Sequence, residues 1–234
     1  MRGILKVCLF WGISGIASHL AQAQIITQRS ELGGGIGVFN YTGDLIRNYH
    51  LGTSRPAVTF FYKSNLSKVI SSRVTLTGGK LAASDRTQPI DAFGRVRDAS
   101  FNIFLLEGSY GYEYHFLDWR SDNRRMRFTP YVFAGVALFG ISGFENKNAE
   151  FSNVQMAIPF GGGMKYVLSP KYYVSFEFGI RKTFFDYLDN ISDEDPGFKN
   201  YQYGNAFDND NYYFMGFSLT YTFYQIPCPT SPYR

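Results

Sequence analysis

Seven charged residues have the types and spacing to do chemistry together: Glu31, Arg73, Glu107, Glu113, Lys165, Glu177 and Arg181. Each lies on the polar side of a segment in which apolar and polar residues alternate. A strand sends successive side chains to opposite faces, so all seven would meet inside a sheet closed on itself. Mixed carboxylates and cations can act as an acid–base pair, as a selectivity filter or ligand site, or as a plug in which they neutralise one another. Catalysis needs a base beside a nucleophile. His19 falls in an N-terminal apolar run, His50 in a long connection and His115 at a short one. The last two belong at opposite rims, so no Ser–His or His–Asp pair forms. No histidine–cysteine cluster has metal-ligand spacing. Buried charges must be paired, and the interior of a small barrel is just wide enough for side chains. The seven therefore read as a salt-bridged plug, with no catalytic residue, metal ligand or cofactor expected.

Two further patterns invite a ligand and fail on inspection. Gly33-Gly34-Gly35 and Gly161-Gly162-Gly163 could be taken for phosphate loops, but neither leads into a helix or a Gly-Lys-Ser/Thr ending. Strand curvature is the better account. Asp186, Asp189, Asp193, Glu194, Asp195, Asp208 and Asp210 crowd one connection. They lack the ordered alternation of a calcium loop and read as a solvated acidic surface.

The elements that must position these residues are strands. The clearest is Lys171 to Arg181, where Tyr172, Val174, Phe176, Phe178 and Ile180 share one face and Ser175, Glu177, Gly179 and Arg181 the other. Large aromatics on the apolar face, with Gly, Ser and paired charges opposite, suit a barrel with lipid outside and a polar interior. Seven companions are expected at Glu31 to Phe39, Ala57 to Lys63, Ile70 to Gly78, Asn102 to Tyr114, Arg127 to Phe139, Val154 to Leu168 and Tyr212 to Phe223. The fifth of the eight, Arg127 to Phe139, is apolar on both faces, so its orientation is open. Long and short connections alternate strictly, as they do in outer-membrane barrels with long external loops and short periplasmic turns. The fold expected is all-β: an eight-stranded antiparallel transmembrane β-barrel with a polar, side-chain-filled lumen and both termini periplasmic.

Composition agrees. The chain holds 18 Tyr, 23 Phe and 24 Gly, which suits aromatic interface belts and curved strands. Arg2 and Lys6, the apolar run from Val7 to Leu20 and the Ala21-Gln22-Ala23 pattern read as a signal peptide over residues 1–23. The barrel would occupy residues 24–223 and a tail residues 224–234. The net charge of +4 falls by two once Arg2 and Lys6 are removed, too weak a bias for nucleic acid. Cys228 is then unpaired in an oxidising compartment, a candidate for a disulfide to a partner or a protected thiol. Three prolines keep the tail from continuing the last strand, leaving either a disordered end or an arm held by a partner. The connection from Asp118 to Arg127 carries Trp119, read as exposed, with Arg120, Arg124 and Arg125. It suits protein docking, lipid headgroup contact or plain solubility.

Several strings resemble one family, the PorG-like outer-membrane barrels of the Bacteroidetes type IX secretion system. They are Glu31-Leu32-Gly33-Gly34 with Tyr41-Thr42-Gly43-Asp44-Leu45, then Thr129 to Phe139, Ile158 to Gly163, Phe178 to Ser192 and the closing Cys228-Pro229. The most specific is the run Arg181-Lys182-Thr183-Phe184-Phe185-Asp186-Tyr187-Leu188-Asp189. The family pattern favours a second aspartate where this chain has Asn190. The resemblance implies a non-enzymatic barrel that ties periplasmic lipoprotein ring subunits to the outer membrane, in a machinery that exports proteins and in some bacteria supports gliding motility. Its partners would be outer-membrane lipids and those ring subunits, met through the turns and the Cys228 tail. The competing expectation is a surface barrel that binds a ligand or partner through its long external loops.

Overall fold

In the computed structural model the eight expected strands form one closed barrel. They are β1 (Ser30–Thr42), β2 (Arg55–Asn65), β3 (Ile70–Ser84), β4 (Ser100–His115), β5 (Phe128–Ser142), β6 (Val154–Val167), β7 (Tyr172–Thr183) and β8 (Asn211–Phe223). Each pairs antiparallel with the next, and β8 closes on β1. The structure describes residues 30–43, 49, 51–84, 100–119, 127–143, 152–184 and 210–223. The expected signal peptide, His50, Arg120, Arg124, Arg125, the Cys228 tail and most of the acidic connection lie outside the described residues.

Period-two alternation explains the two faces. Leu32, Ile36, Phe60, Leu76, Leu106, Val136, Met156 and Phe217 point outward and are exposed, with Ile36 at 73%. An apolar exterior this continuous is a liability in water and an asset in hydrocarbon. Tyr110 and Tyr112 also face outward, and their hydroxyls hydrogen-bond each other at 3.2 Å, so neither is left bare among apolar neighbours. Around the end that carries the short connections runs a band of Tyr62, Tyr114, Phe116, Tyr166, Tyr172 and Tyr221. Aromatic belts of this kind sit where headgroups meet hydrocarbon.

The ambiguous fifth strand is resolved. Val132, Val136 and Leu138 face out, while Tyr131, Phe133, Ala137, Phe139 and Ile141 are buried. Its second apolar face has a purpose: Phe139 packs edge-on against Tyr212 at 5.6 Å. Together with Phe39, Leu81, Phe101, Ile103, Leu105 and Phe214 it forms an apolar core at the end opposite the short connections. The interior is thus layered, with charge toward the short-turn end and aliphatic and aromatic packing toward the other. The expectation of a polar lumen holds for only one of these layers.

Glycines let the sheet turn its corners. Gly37 faces Gly216 across β1–β8, Gly111 faces Gly135 across β4–β5, and Gly161 faces Gly179 across β6–β7. A methyl carbon built on Gly161 would stand 2.6 Å from the Gly179 Cα, and one on Gly135 2.8 Å from the Gly111 Cα. At the remaining alternate seam, β2–β3, Ala57 meets Gly79. Four close backbone approaches at every second seam bend the sheet into a narrow barrel. The two Gly-rich stretches are therefore wall, as expected.

Candidate functional site: the ionic interior and its two mouths

The inward positions of β2, β3, β4, β6 and β7 bring charges from distant parts of the chain to one axis. Glu113 on β4 is the hub. Lys63 Nζ approaches it at 2.8 Å, Arg73 Nη1 at 3.0 Å and Lys165 Nζ at 2.5 Å. Arg73 also forks onto Glu177, donating from Nη1 at 2.5 Å and from Nη2 at 3.1 Å. Arg181 continues the chain, with Nη2 3.8 Å from Glu177 and Nε 3.2 Å from Glu107. Tyr212 donates to the same Glu107 oxygen at 2.7 Å. Nearer the short-turn end, Glu31 accepts from Asn65 at 2.8 Å and from the Tyr173 hydroxyl. Among the described residues, four glutamates and four cations share this part of the interior, so their charges balance here.

All seven charges named from the sequence point inward; ion pairs join six of them in one network, and Glu31 accepts from Tyr173 and Asn65. Lys63 completes the network and was missed. Its signal was present, because it continues the inward parity opposite Val58, Phe60 and Tyr62, yet it stands at the strand's end where alternation is hardest to trust.

Two residues depart from expectation. His115 was placed at a turn on the rim; it is the last residue of β4 and fully buried. Its Nδ1 lies 3.2 Å from the Val69 carbonyl and its Nε2 2.7 Å from Lys165 Nζ. Nδ1–H therefore donates to the carbonyl and Nε2 accepts from the ammonium. Glu113 Oε2 stands 3.6 Å from the same Nε2, so the histidine lies against the ionic hub inside the barrel rather than at the rim. Trp119 was read as exposed and partner-facing. Instead it is 9% exposed, its ring 4.9 Å from Tyr173 and 5.7 Å from His115. The connection folds it back because the short-turn mouth offers an aromatic floor that solvent does not. Lys165 Nζ sits 5.7, 4.6 and 5.4 Å from the rings of Trp119, Tyr131 and Tyr173, a cation caged by aromatic faces. Trp119 thus packs against the plug and is buried where exposure was expected.

The opposite mouth is held differently. Asp210, the one described member of the acidic connection, is buried rather than solvated; it accepts from the Tyr41 hydroxyl at 2.5 Å, and its carbonyl accepts from Thr183 at 2.6 Å. Asn40 donates to Thr53 and Ser54, both at 3.1 Å, pinning the 3-10 turn Leu51–Thr53 over β1. Among the described residues no three His, Cys, Asp or Glu are grouped to hold a metal.

Known structures match this architecture. Neisserial surface protein A is similar at 10% identity over 83% of this chain and 97% of its own, with a TM-score of 0.54, a likeness of fold. The outer membrane protein OprG of Pseudomonas aeruginosa matches at 10% identity, covering 85% and 97%, with a TM-score of 0.49. Ail, the attachment invasion locus protein of Yersinia pestis, matches at 9%, covering 85% and 100%, with a TM-score of 0.48. No curated protein matches the chain. A family model covers residues 10–231, nearly its full length, and the chain belongs to that family, the domain of unknown function DUF6089.

Proposed function

We propose that this protein is a non-enzymatic, non-conducting barrel of the outer membrane that anchors a periplasmic ring complex of the type IX secretion machinery, and that it serves gliding where the host cell glides. The observation that carries the first half is the continuous ionic chain Lys63, Glu113, Arg73, Glu177, Arg181, Glu107, backed by Trp119 at the short-turn mouth. An interior occupied by mutually paired side chains leaves anchoring and contact at the rims as its remaining work. The second half rests on the resemblance of the strings around Thr129 to Phe139 and Phe178 to Ser192. In this reading the short connections and both termini face the periplasm. Arg120, Arg124, Arg125 and the Cys228 tail meet the ring subunits, and Cys228 is available for a disulfide to one of them. Trp119 acts indirectly, by fixing the start of that connection.

The test is gentle detergent extraction of the native complex and identification of what co-purifies. Deleting residues 224–234, or replacing Arg124 and Arg125 by Ser, should strip away the periplasmic subunits while the barrel remains in the membrane. If the co-purifying set is unchanged by both variants and depends on the long connections, the surface-binding alternative replaces the anchor.

A further inference from the structure

At the mouth opposite the plug, a cleft of about 360 Å³ opens where the 3-10 turn Leu51–Thr53 approaches the ends of β2, β3 and β4. Arg55, Thr53, Ser84, Ser100, Phe101 and Asn102 contribute to its lining. The volume falls in the range of small-molecule sites, roughly 300 to 1,000 Å³, and exceeds what a single ion would fill. Arg55 sets it apart. Lys63, Arg73, Lys165 and Arg181 each meet a carboxylate inside the barrel. Among the described residues the exposed Arg55 side chain, by contrast, has no ion pair, and no carboxylate contributes to the cleft lining. Across β3 from it, β4 contributes an exposed serine, Ser100, and an exposed asparagine, Asn102, to the lining.

An unpaired guanidinium presents a planar fork that matches a carboxylate or phosphate. Neutral hydroxyl and amide groups suit a ligand rich in hydroxyls, which both give and accept hydrogen bonds. We propose that this cleft binds an acidic saccharide, with Arg55 pairing with its carboxylate or phosphate and Ser100 and Asn102 engaging its hydroxyls. This goes beyond anchoring and uses the other end of the barrel. The same acidic sugar could come from a soluble or surface glycan or from the sugar-phosphate headgroup of a membrane lipid.

Binding is measured by calorimetry on the full barrel in phosphatidylcholine nanodiscs, titrated with trigalacturonate, glucosamine 1-phosphate and neutral maltotriose. At least one acidic sugar should bind and maltotriose should not. Arg55→Gln should weaken binding about tenfold or more, as loss of a charge-assisted pair implies. Asn102→Ala should weaken it less. Lys80→Gln, at an exposed lysine of β3 outside the cleft, should change it by less than about twofold. Heat-modifiable gel migration confirms that each variant is folded. Nanodiscs doped with lipid A separate the sources: competition with the added sugar identifies a headgroup ligand, and undiminished binding a glycan. Equal binding of maltotriose, an unaffected Arg55→Gln, or equal losses from Arg55→Gln and Lys80→Gln would overturn the proposal.

Discussion

Glu113 meets three cations while fully buried, and its value to the fold follows from what its loss would leave behind. Breaking a buried ion pair strands the partner charge, which costs about 3–5 kcal/mol. Glu113→Gln should therefore lower the unfolding free energy of the barrel by that order, seen as a lower urea midpoint in heat-modifiable migration from lipid vesicles. Glu107 and Arg181 test the same logic from the other side. Arg181→Met alone leaves Glu107 buried with only Tyr212 against the same oxygen. The double variant Glu107→Gln, Arg181→Met removes both charges and should be more stable than Arg181→Met alone, because paired removal avoids the stranded charge. If the single and double variants lose stability additively, the charges are not acting as a pair. At this scale the sequence was legible wherever parity was clear. Glu107, Glu113, Glu177 and Arg181 alternate with large apolar residues, so their direction could be read. Trp119 could not, because an irregular connection has no period and only the aromatic floor of Tyr173 and His115 decides where it turns.

Among the elements, the seams matter more than the strands. Gly161 and Gly179 come so close that a side chain on Gly161 would press on the partner backbone, whereas a methyl carbon on Gly108 meets nothing within 4 Å. Gly161→Val should cost about 1–3 kcal/mol through overpacking, and Gly108→Ala should be neutral within about 0.5 kcal/mol. Comparable losses at both sites would mean that glycine serves chain flexibility rather than close approach. On the outer face, Leu76→Arg should cost about 2–4 kcal/mol in a bilayer, the magnitude for arginine near the midplane of a barrel. Strand existence and order were readable from alternation, but the strict alternation of long and short connections does not hold: residues 116–127 between β4 and β5 are no fewer than residues 143–153 between β5 and β6. Strand ends were not: β3 was expected to stop at Gly78 and β5 at Phe139, and they run to Ser84 and Ser142. Their extra residues face an apolar core rather than a polar interior, so the alternation that marks the rest of the wall fades there.

For the molecule as a whole, two ends with different construction imply two kinds of work. The short-turn end is closed by charge, histidine and tryptophan, while the other end carries an apolar core, a pinned 3-10 turn and an open cleft. The layering was invisible in the sequence because the upper inward positions, such as Phe101, Ile103 and Phe139, look like the membrane-facing residues of any strand read alone. The claim that the barrel holds rather than conducts is tested most directly by single-channel recording of the purified protein in a planar bilayer at moderate salt. The wild-type barrel should insert without producing current steps. Stable, reproducible conductance steps from the wild-type protein would contradict a side-chain-filled interior and the anchoring role built on it.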